Sequence, residues 1–180
     1  MATETEIKFP VENHTLYTQK LQEFHAATEP ETFEDSIVFD DSNHTLYQKG
    51  YLLRLRKSDK ITLTFKKPLE KSQFKVMEEY EIEVSDFIKT ETILKMLGYE
   101  RTFRYQKRRK TFALQGALIT FDETPIGNFI EIEGEKEKIK EIAGLLNLPM
   151  ENGTSKTYME LYIEYCKMHN LIPADMVFEM

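Results

Sequence analysis

Glu4, Glu6 and Lys8 occupy alternate positions of Thr3-Glu4-Thr5-Glu6-Ile7-Lys8-Phe9. Successive side chains of an extended segment leave opposite faces, so these three ionisable groups share one side and Thr5, Ile7 and Phe9 the other. The alternation returns along the chain. Its charged faces carry the cations Lys8, Arg54, Arg56, Lys66, Lys107 and Arg109, and the carboxylates Glu4, Glu6, Glu79, Glu81, Glu83, Asp122, Glu131 and Glu133. The opposite faces carry Ile7, Leu53, Leu55, Leu63, Phe65, Ile82, Val84, Phe121, Ile130 and Ile132. One arrangement is a sheet with a solvated charged face, whose scattered ion pairs are worth under about 1 kcal/mol each. The other turns the apolar faces outward onto helices and lines a wet tunnel with the charges. Burying so many charges without a ligand is costly. A polyanion together with divalent cations would suit the mixture, because Lys and Arg hold phosphate oxygens and carboxylates hold a hard metal ion.

The elements that must position these residues are short and hairpin-linked. Strands are expected at Thr3 to Phe9 (ended by Pro10), Asp35 to Phe39, Tyr51 to Lys57, Ile61 to Lys67 (stopped by Pro68) and Lys75 to Val84. Further strands are expected at Arg101 to Leu114, Ala117 to Asp122 and Phe129 to Glu133. Helices are expected within Val11 to Phe24, from Asp86 to Leu97 with Gly98 as a stop, from Lys136 to Leu146, and from Ser155 to Met168. Ala26 to Phe33 reads as a polar connector, and Asp40-Asp41-Ser42-Asn43-His44 as a loop of turn formers. About eight mostly antiparallel strands can close into a barrel, which removes exposed edges.

Length and composition bound the answer. A chain of 180 residues is expected to form one domain, spanning residues 1–180. The apolar share is 41% and the charged share 31%, an excess of charge that needs a location. Net charge is −7, which argues against general nucleic-acid binding. Lys107-Arg108-Arg109-Lys110 is basic, but alternation splits it between two faces. No apolar run reaches the roughly 18 residues of a membrane span. The first residues lack the pattern of a secretory signal, and Cys166 is the only cysteine; both fit a reducing, cytoplasmic setting. Cys166 reads as an inert packing residue, and the four histidines lack ligand spacing.

Glu4-Thr5-Glu6-Ile7-Lys8 resembles the N-terminal ExExK signature of the CYTH superfamily, the triphosphate tunnel metalloenzymes. The resemblance continues in order through Asp35 to Asp40, Leu46, Leu53-Arg54-Leu55-Arg56 and Leu63-Thr64-Phe65-Lys66 before Pro68. It runs on through Glu79, Glu81 and Glu83, the Lys107 and Arg109 pair, Phe121-Asp122, Gly127 and Phe129-Ile130-Glu131-Ile132-Glu133. Ser155-Lys156-Thr157-Tyr158 is similar to the family's C-terminal basic and aromatic element. Met77 departs from the pattern, since many relatives place an arginine before the acidic strand.

The resemblance implies a mainly β, α+β fold: an eight-stranded antiparallel closed barrel over about residues 2–134, with flanking helices to about residue 168. It implies a triphosphate held by Lys8, Arg54, Arg56, Lys66, Lys107, Arg109 and Lys156. It implies Mg2+ or Mn2+ held by Glu4, Glu6, Asp122, Glu131 and Glu133, with Glu81 and Glu83 as further ligands. Glu4, Glu6, Lys8, Lys66 and Arg109 would stand at the reacting centre. The partner is then a small-molecule triphosphate (inorganic triphosphate, thiamine triphosphate or ATP), with the protein a monomer or homodimer and neither nucleic acid nor membrane involved. Hydrolysis is favoured, because Asn43 to Gly50 resembles the phosphatase-type members. A class IV adenylyl cyclase and a non-catalytic polyphosphate-binding module are the rival functions.

Overall fold

The computed structural model describes residues 2–179. In chain order these form β1 (Ala2–Val11), α1 (Thr15–Glu23), β2 (Ala27–Thr28), β3 (Thr32–Asp40), α2 (Thr45–Gln48), β4 (Leu52–Lys57), β5 (Ile61–Lys71) and β6 (Lys75–Glu83). Then follow α3 (Phe87–Met96), β7 (Glu100–Leu114), β8 (Ala117–Thr124), β9 (Gly127–Glu133), α4 (Lys136–Leu146) and α5 (Tyr158–Met168). The hydrogen-bonded order is β7-β3-β4-β5-β6-β1-β9-β8, and β8 returns to β7. That closure makes an eight-stranded antiparallel barrel with no open sheet edge. β2 adds no width: it pairs Ala27 with Ala113, on the edge of β7 that β3 takes up from Thr32 and Arg109.

The register fixes which residues share a face. Lys8 pairs with Glu131, Glu6 with Glu133, Lys66 with Glu79, Arg54 with Thr64, Glu34 with Lys107, and Arg109 with Asp122. Directly paired residues point the same way, so all of these face the lumen. The alternate residues face outward and make the hydrophobic core. Ile7, Phe9, Ile119, Phe121, Ile130 and Ile132 meet Leu21 of α1 and Ile139, Ile142, Ala143 and Leu146 of α4. The α4 positions fall at the i, i+3, i+4, i+7 spacing of one helical face, and each large one buried there is worth about 1.5–3 kcal/mol. Ile37, Phe39, Leu53 and Leu55 of β3 and β4 pack with Leu94 of α3. Phe103, Tyr105 and Phe129 point inward and are covered by Tyr158 of α5 and by Met176, closing one end of the lumen with an apolar plug.

Helix ends follow local chemistry. Asp86 caps α3 by accepting from Lys89 N, Thr157 and Glu160 form a capping box on α5, and Asn147 ends α4 in the left-handed region. Asp40 accepts from the backbone of Leu46 and Tyr47 and so holds the one-turn α2, which directly follows the expected loop. Both prolines expected to end strands instead lie within them. Lys8 exchanges backbone bonds with Thr154 rather than β9, so the Pro10 nitrogen two residues on also faces away from β9 and no ladder bond is lost. Pro68 is followed by a register shift before Glu70, a bulge that lets β5 continue to Lys71. The supposed connector at residues 26–33 contains β2 and the start of β3.

The Lys8–Thr154 bridge needs Gly153. A β-carbon there would lie 2.3 Å from Ile7 Cδ1 and 3.1 Å from Phe9 Cε1, and both side chains are fully buried. Gly153→Ala is therefore expected to destabilise by about 1–3 kcal/mol through overpacking. Thermal unfolding of the variant should show a melting temperature lower by about 2–4 °C per kcal/mol.

Candidate active site

Every strand of the barrel except the two-residue β2 sends ionisable or hydroxyl side chains into the lumen, and they form two unlike walls. On the first, Arg54 and Arg56 of β4 stand near Lys107 and Arg109 of β7. Arg56 Nη1 lies 3.1 Å from Glu34 Oε1 and Lys107 Nζ 3.3 Å from Glu34 Oε2. Arg54 donates to Thr64 Oγ1 at 3.1 Å and to Tyr105 Oη at 3.4 Å. Asp122, fully buried, accepts from Lys107 Nζ, Arg109 Nε and Nη2, and Tyr158 Oη. Lys8 and Arg109 both reach Glu131. Lys8 and Lys107 lie 4.5 and 5.2 Å from the centre of the Tyr158 ring, a cation–π contact that holds two lysines against the plug.

The second wall is acidic. Glu4, Glu6, Glu79 and Glu133 share it with Lys66, which contacts Glu4 and Glu79, and Lys75, whose Nζ lies 2.8 Å from Glu6; Lys8 of the first wall reaches Glu6 at 4.0 Å.

Burial and charge set the protonation of both walls. Burial alone would raise Glu34, but Lys107, Arg109, Arg56 and Arg54 outweigh it and hold the carboxyl well below its ordinary range. The Tyr105 phenol would rise on burial; Arg54, Arg56 and Lys107 instead bring it down to about 7. On the acidic wall Lys75 overcomes burial and holds Glu6 at about 2. Glu133 has no ion-pair partner among the described residues, so burial, then Glu4 and Glu6, push it up to about 7 against a smaller pull from Lys66. Burial and Glu6 also raise Glu4.

The structure therefore brings together Glu4, Glu6, Lys8, Arg54, Arg56, Lys66, Lys107, Arg109, Asp122, Glu131 and Glu133 in one lumen. Glu81 sits half-exposed toward a mouth, bonded to Thr64. Glu83 pairs with Lys60 and is 62% exposed, and Lys156 pairs with Glu164 on the surface. Neither touches the two walls. Glu34, Lys75 and Tyr105 are lumen residues that the sequence reading did not single out as site residues. Starting β3 at Asp35 left Glu34 outside the strand, whereas Thr32, Glu34 and Ser36 alternate with Phe33, Asp35 and Ile37. Lys75 is in phase with Met77, Glu79 and Glu81, so the cation missing at Met77 stands two residues earlier.

Among the described residues no three His, Cys, Asp or Glu side chains converge into a ready-made metal cage. The donor chemistry of the acidic wall nevertheless fits a hard cation. Its carboxylates are oxygen donors, and beyond burial Glu6 raises Glu4 while Glu4 and Glu6 raise Glu133, so negative charge on this wall is short of compensation.

The sign of that shortage is testable. A carboxyl raised in the folded state binds protons there that the unfolded chain releases, so stability falls as pH rises from about 4.5 to 7. With solvent screening on its exposed side the penalty is about 1 kcal/mol. Glu133→Gln is expected to raise the melting temperature at pH 8 without metal by about 2–4 °C, and to leave it unchanged at pH 4. A variant no more stable than the wild type at pH 8 would contradict the charge balance of this wall.

Comparison with known proteins agrees with this geometry. A family model described as the CYTH domain matches residues 2–158. A Methanocaldococcus jannaschii protein named "Putative adenylate cyclase" is 26% identical over 170 residues, covering 88% of this chain and 97% of that protein. The structure of a conserved hypothetical protein from Pyrococcus furiosus is 27% identical with a TM-score of 0.76, over 88% of this chain and 99% of that one. A Hippeastrum "putative adenylyl cyclase", described as having a dominant triphosphatase activity, shares the fold at a TM-score of 0.63 and 16% identity, over 96% of this chain and 98% of that one. No helix of the described residues is long and apolar enough to cross a membrane. With its inverted charged barrel and a domain match over nearly its whole length, the chain belongs to the CYTH family.

Proposed function

We propose that this chain is a divalent-metal-dependent enzyme that hydrolyses a triphosphate held in the lumen, with inorganic triphosphate or a small organic triphosphate such as thiamine triphosphate as substrate. The observation that carries the reading is on the basic wall. Arg54 Nε and Arg56 Nε are buried donors without an acceptor. Leaving such groups unsatisfied costs roughly 1–3 kcal/mol each, and a phosphate oxygen is the acceptor that guanidinium geometry suits best.

In this reading Lys8, Arg54, Arg56, Lys66, Lys107 and Arg109 hold phosphate oxygens and neutralise charge on the transferred phosphoryl group. Each now leans on a carboxylate or hydroxyl of the lumen, so a triphosphate binds by taking cations away from Glu131, Glu4 and Glu34. The freed carboxylates are then left without compensation. Glu4, Glu6, Glu131 and Glu133 would hold Mg2+ or Mn2+, with Asp122 and Glu81 near by and Glu83 farther out. The ion would supply charge neutralisation and an activated water. Asp122 already takes donors from three residues and orients Lys107 and Arg109.

Hydrolysis is preferred to cyclisation because water needs no base-binding surface. The inward aromatic rings Phe103, Tyr105 and Phe129 are all buried in the plug with Tyr158 and offer no free face for a purine. The name carried by the Methanocaldococcus jannaschii relative favours the alternative, conversion of ATP to cyclic AMP and pyrophosphate.

Separation of products by anion exchange distinguishes the two. Incubation with inorganic triphosphate and magnesium or manganese is expected to give orthophosphate and pyrophosphate, with thiamine triphosphate and ATP as comparison substrates. Cyclic AMP with stoichiometric pyrophosphate from ATP would establish the cyclase instead. Lys8→Ala and Arg56→Ala should each lower turnover by about 100-fold or more, the scale of removing a transition-state charge contact, while far-UV circular dichroism stays native. Wild-type rates in both variants would overturn the lumen as the site.

A further inference from the structure

Resting on that function, one part of the lumen carries a more specific assignment. Ser36, on β3, lies in register with Arg56 on one side and Tyr105 on the other. Its hydroxyl is fully buried and has no hydrogen-bond partner, like the Nε atoms of Arg54 and Arg56 beside it. Two positions along the same strand, Glu34 is 4% exposed and inserts its carboxylate between Arg56 and Lys107. Glu34 Oε2 itself lacks a hydrogen bond although Lys107 Nζ is 3.3 Å away. The wall is thus rich in donors, holds an anion that satisfies only part of them, and leaves others vacant.

We propose that Glu34, Ser36, Arg54, Arg56, Tyr105 and Lys107 form one phosphoryl subsite in which the Glu34 carboxylate stands in for a phosphate group and competes with substrate and product for it. A carboxylate is planar and brings two oxygens, whereas a phosphoryl group brings three in a tetrahedral array. The extra oxygen is what the Ser36 hydroxyl and the guanidinium Nε atoms can reach. A tethered anion that re-pairs with Arg56 and Lys107 weakens retention of orthophosphate or pyrophosphate after the reaction, so product leaves. It also sets a threshold of charge: an anion must bring more than one carboxylate's worth of negative charge to displace it. That disfavours a carboxylic acid, and a polyphosphate chain gains further over a lone phosphate because its other phosphoryl groups reach cations outside the subsite.

Calorimetric titration of orthophosphate and inorganic triphosphate into the metal-free protein tests the assignment without relying on turnover. Glu34→Gln should tighten orthophosphate binding about tenfold, the effect of removing one charged competitor, and should strengthen product inhibition in the assay. Ser36→Ala deletes a buried, unbonded hydroxyl, so it should raise the melting temperature of the free protein while weakening triphosphate binding several-fold. A folded Glu34→Gln with unchanged or weaker orthophosphate affinity would overturn the competition. Should that variant fail to fold, Ser36→Ala decides: unaltered triphosphate affinity removes the subsite. A wild-type protein that binds no triphosphate at all would instead overturn the function on which the subsite rests.

Discussion

Ion pairing across the lumen is the interaction on which the rest of the structure depends. A charge moved from water into a protein interior loses several kcal/mol of solvation even after relaxation. Lys8, Lys66, Lys107 and Asp122 are all buried, and each is held by an opposite charge on a neighbouring strand. Lys8–Glu131, Lys66–Glu79 and Lys107–Asp122 bridge the adjacent strands β1 and β9, β5 and β6, and β7 and β8, while Lys66–Glu4 reaches across β6 to tie β5 to β1. The pairing is uneven, however. Surplus donors gather on β3 and β4, and surplus carboxylates on β1 and β9. A molecule carrying both signs, a polyanion with its metal, is the complement of that imbalance.

Filling the barrel with charge displaces the hydrophobic core to the outside. Small closed barrels commonly pack apolar side chains within. Here that role falls to the layer between the outer face and the helices, where Ile7, Ile130 and Ile132 meet Ile139, Ile142 and Leu146. The helices are therefore required for burial. At one end apolar packing enters the lumen, where Tyr158 and Met176 cover Phe103, Tyr105 and Phe129. Gly153 lets the chain approach β1 at Thr154, and the following residues carry Tyr158 to its place against Lys8 and Asp122. Packing at a glycine thus positions two lysines of the site.

Much of this was legible in the sequence because a two-residue period assigns faces without any knowledge of partners. Glu4, Glu6 and Lys8, or Glu131 and Glu133, can only share a side. Alternation could not say whether the charged side faced water or a lumen; the ordered resemblance to the CYTH pattern carried that step. The misread positions had local causes. Pro10 and Pro68 looked like stops because the direction of an amide relative to its neighbours is a tertiary fact. Glu34 was lost to a strand started three residues late, beside Glu29, Pro30 and Glu31. Lys75 hid at the first position of β6, where the eye follows the row Glu79, Glu81, Glu83. The strip at Met176, bonded to β7 between Arg104 and Gln106, has no periodic signal at all.

The central claim is that a triphosphate binds by taking cations away from lumen carboxylates. A crystal structure of the complex with inorganic triphosphate would test it most directly, read at the Lys8–Glu131, Lys66–Glu4 and Arg56–Glu34 contacts. The account predicts phosphate oxygens between the β4 and β7 cations and the β1 and β9 carboxylates, with those three contacts opened. A triphosphate bound elsewhere, or bound in the lumen with all three ion pairs intact, would contradict it.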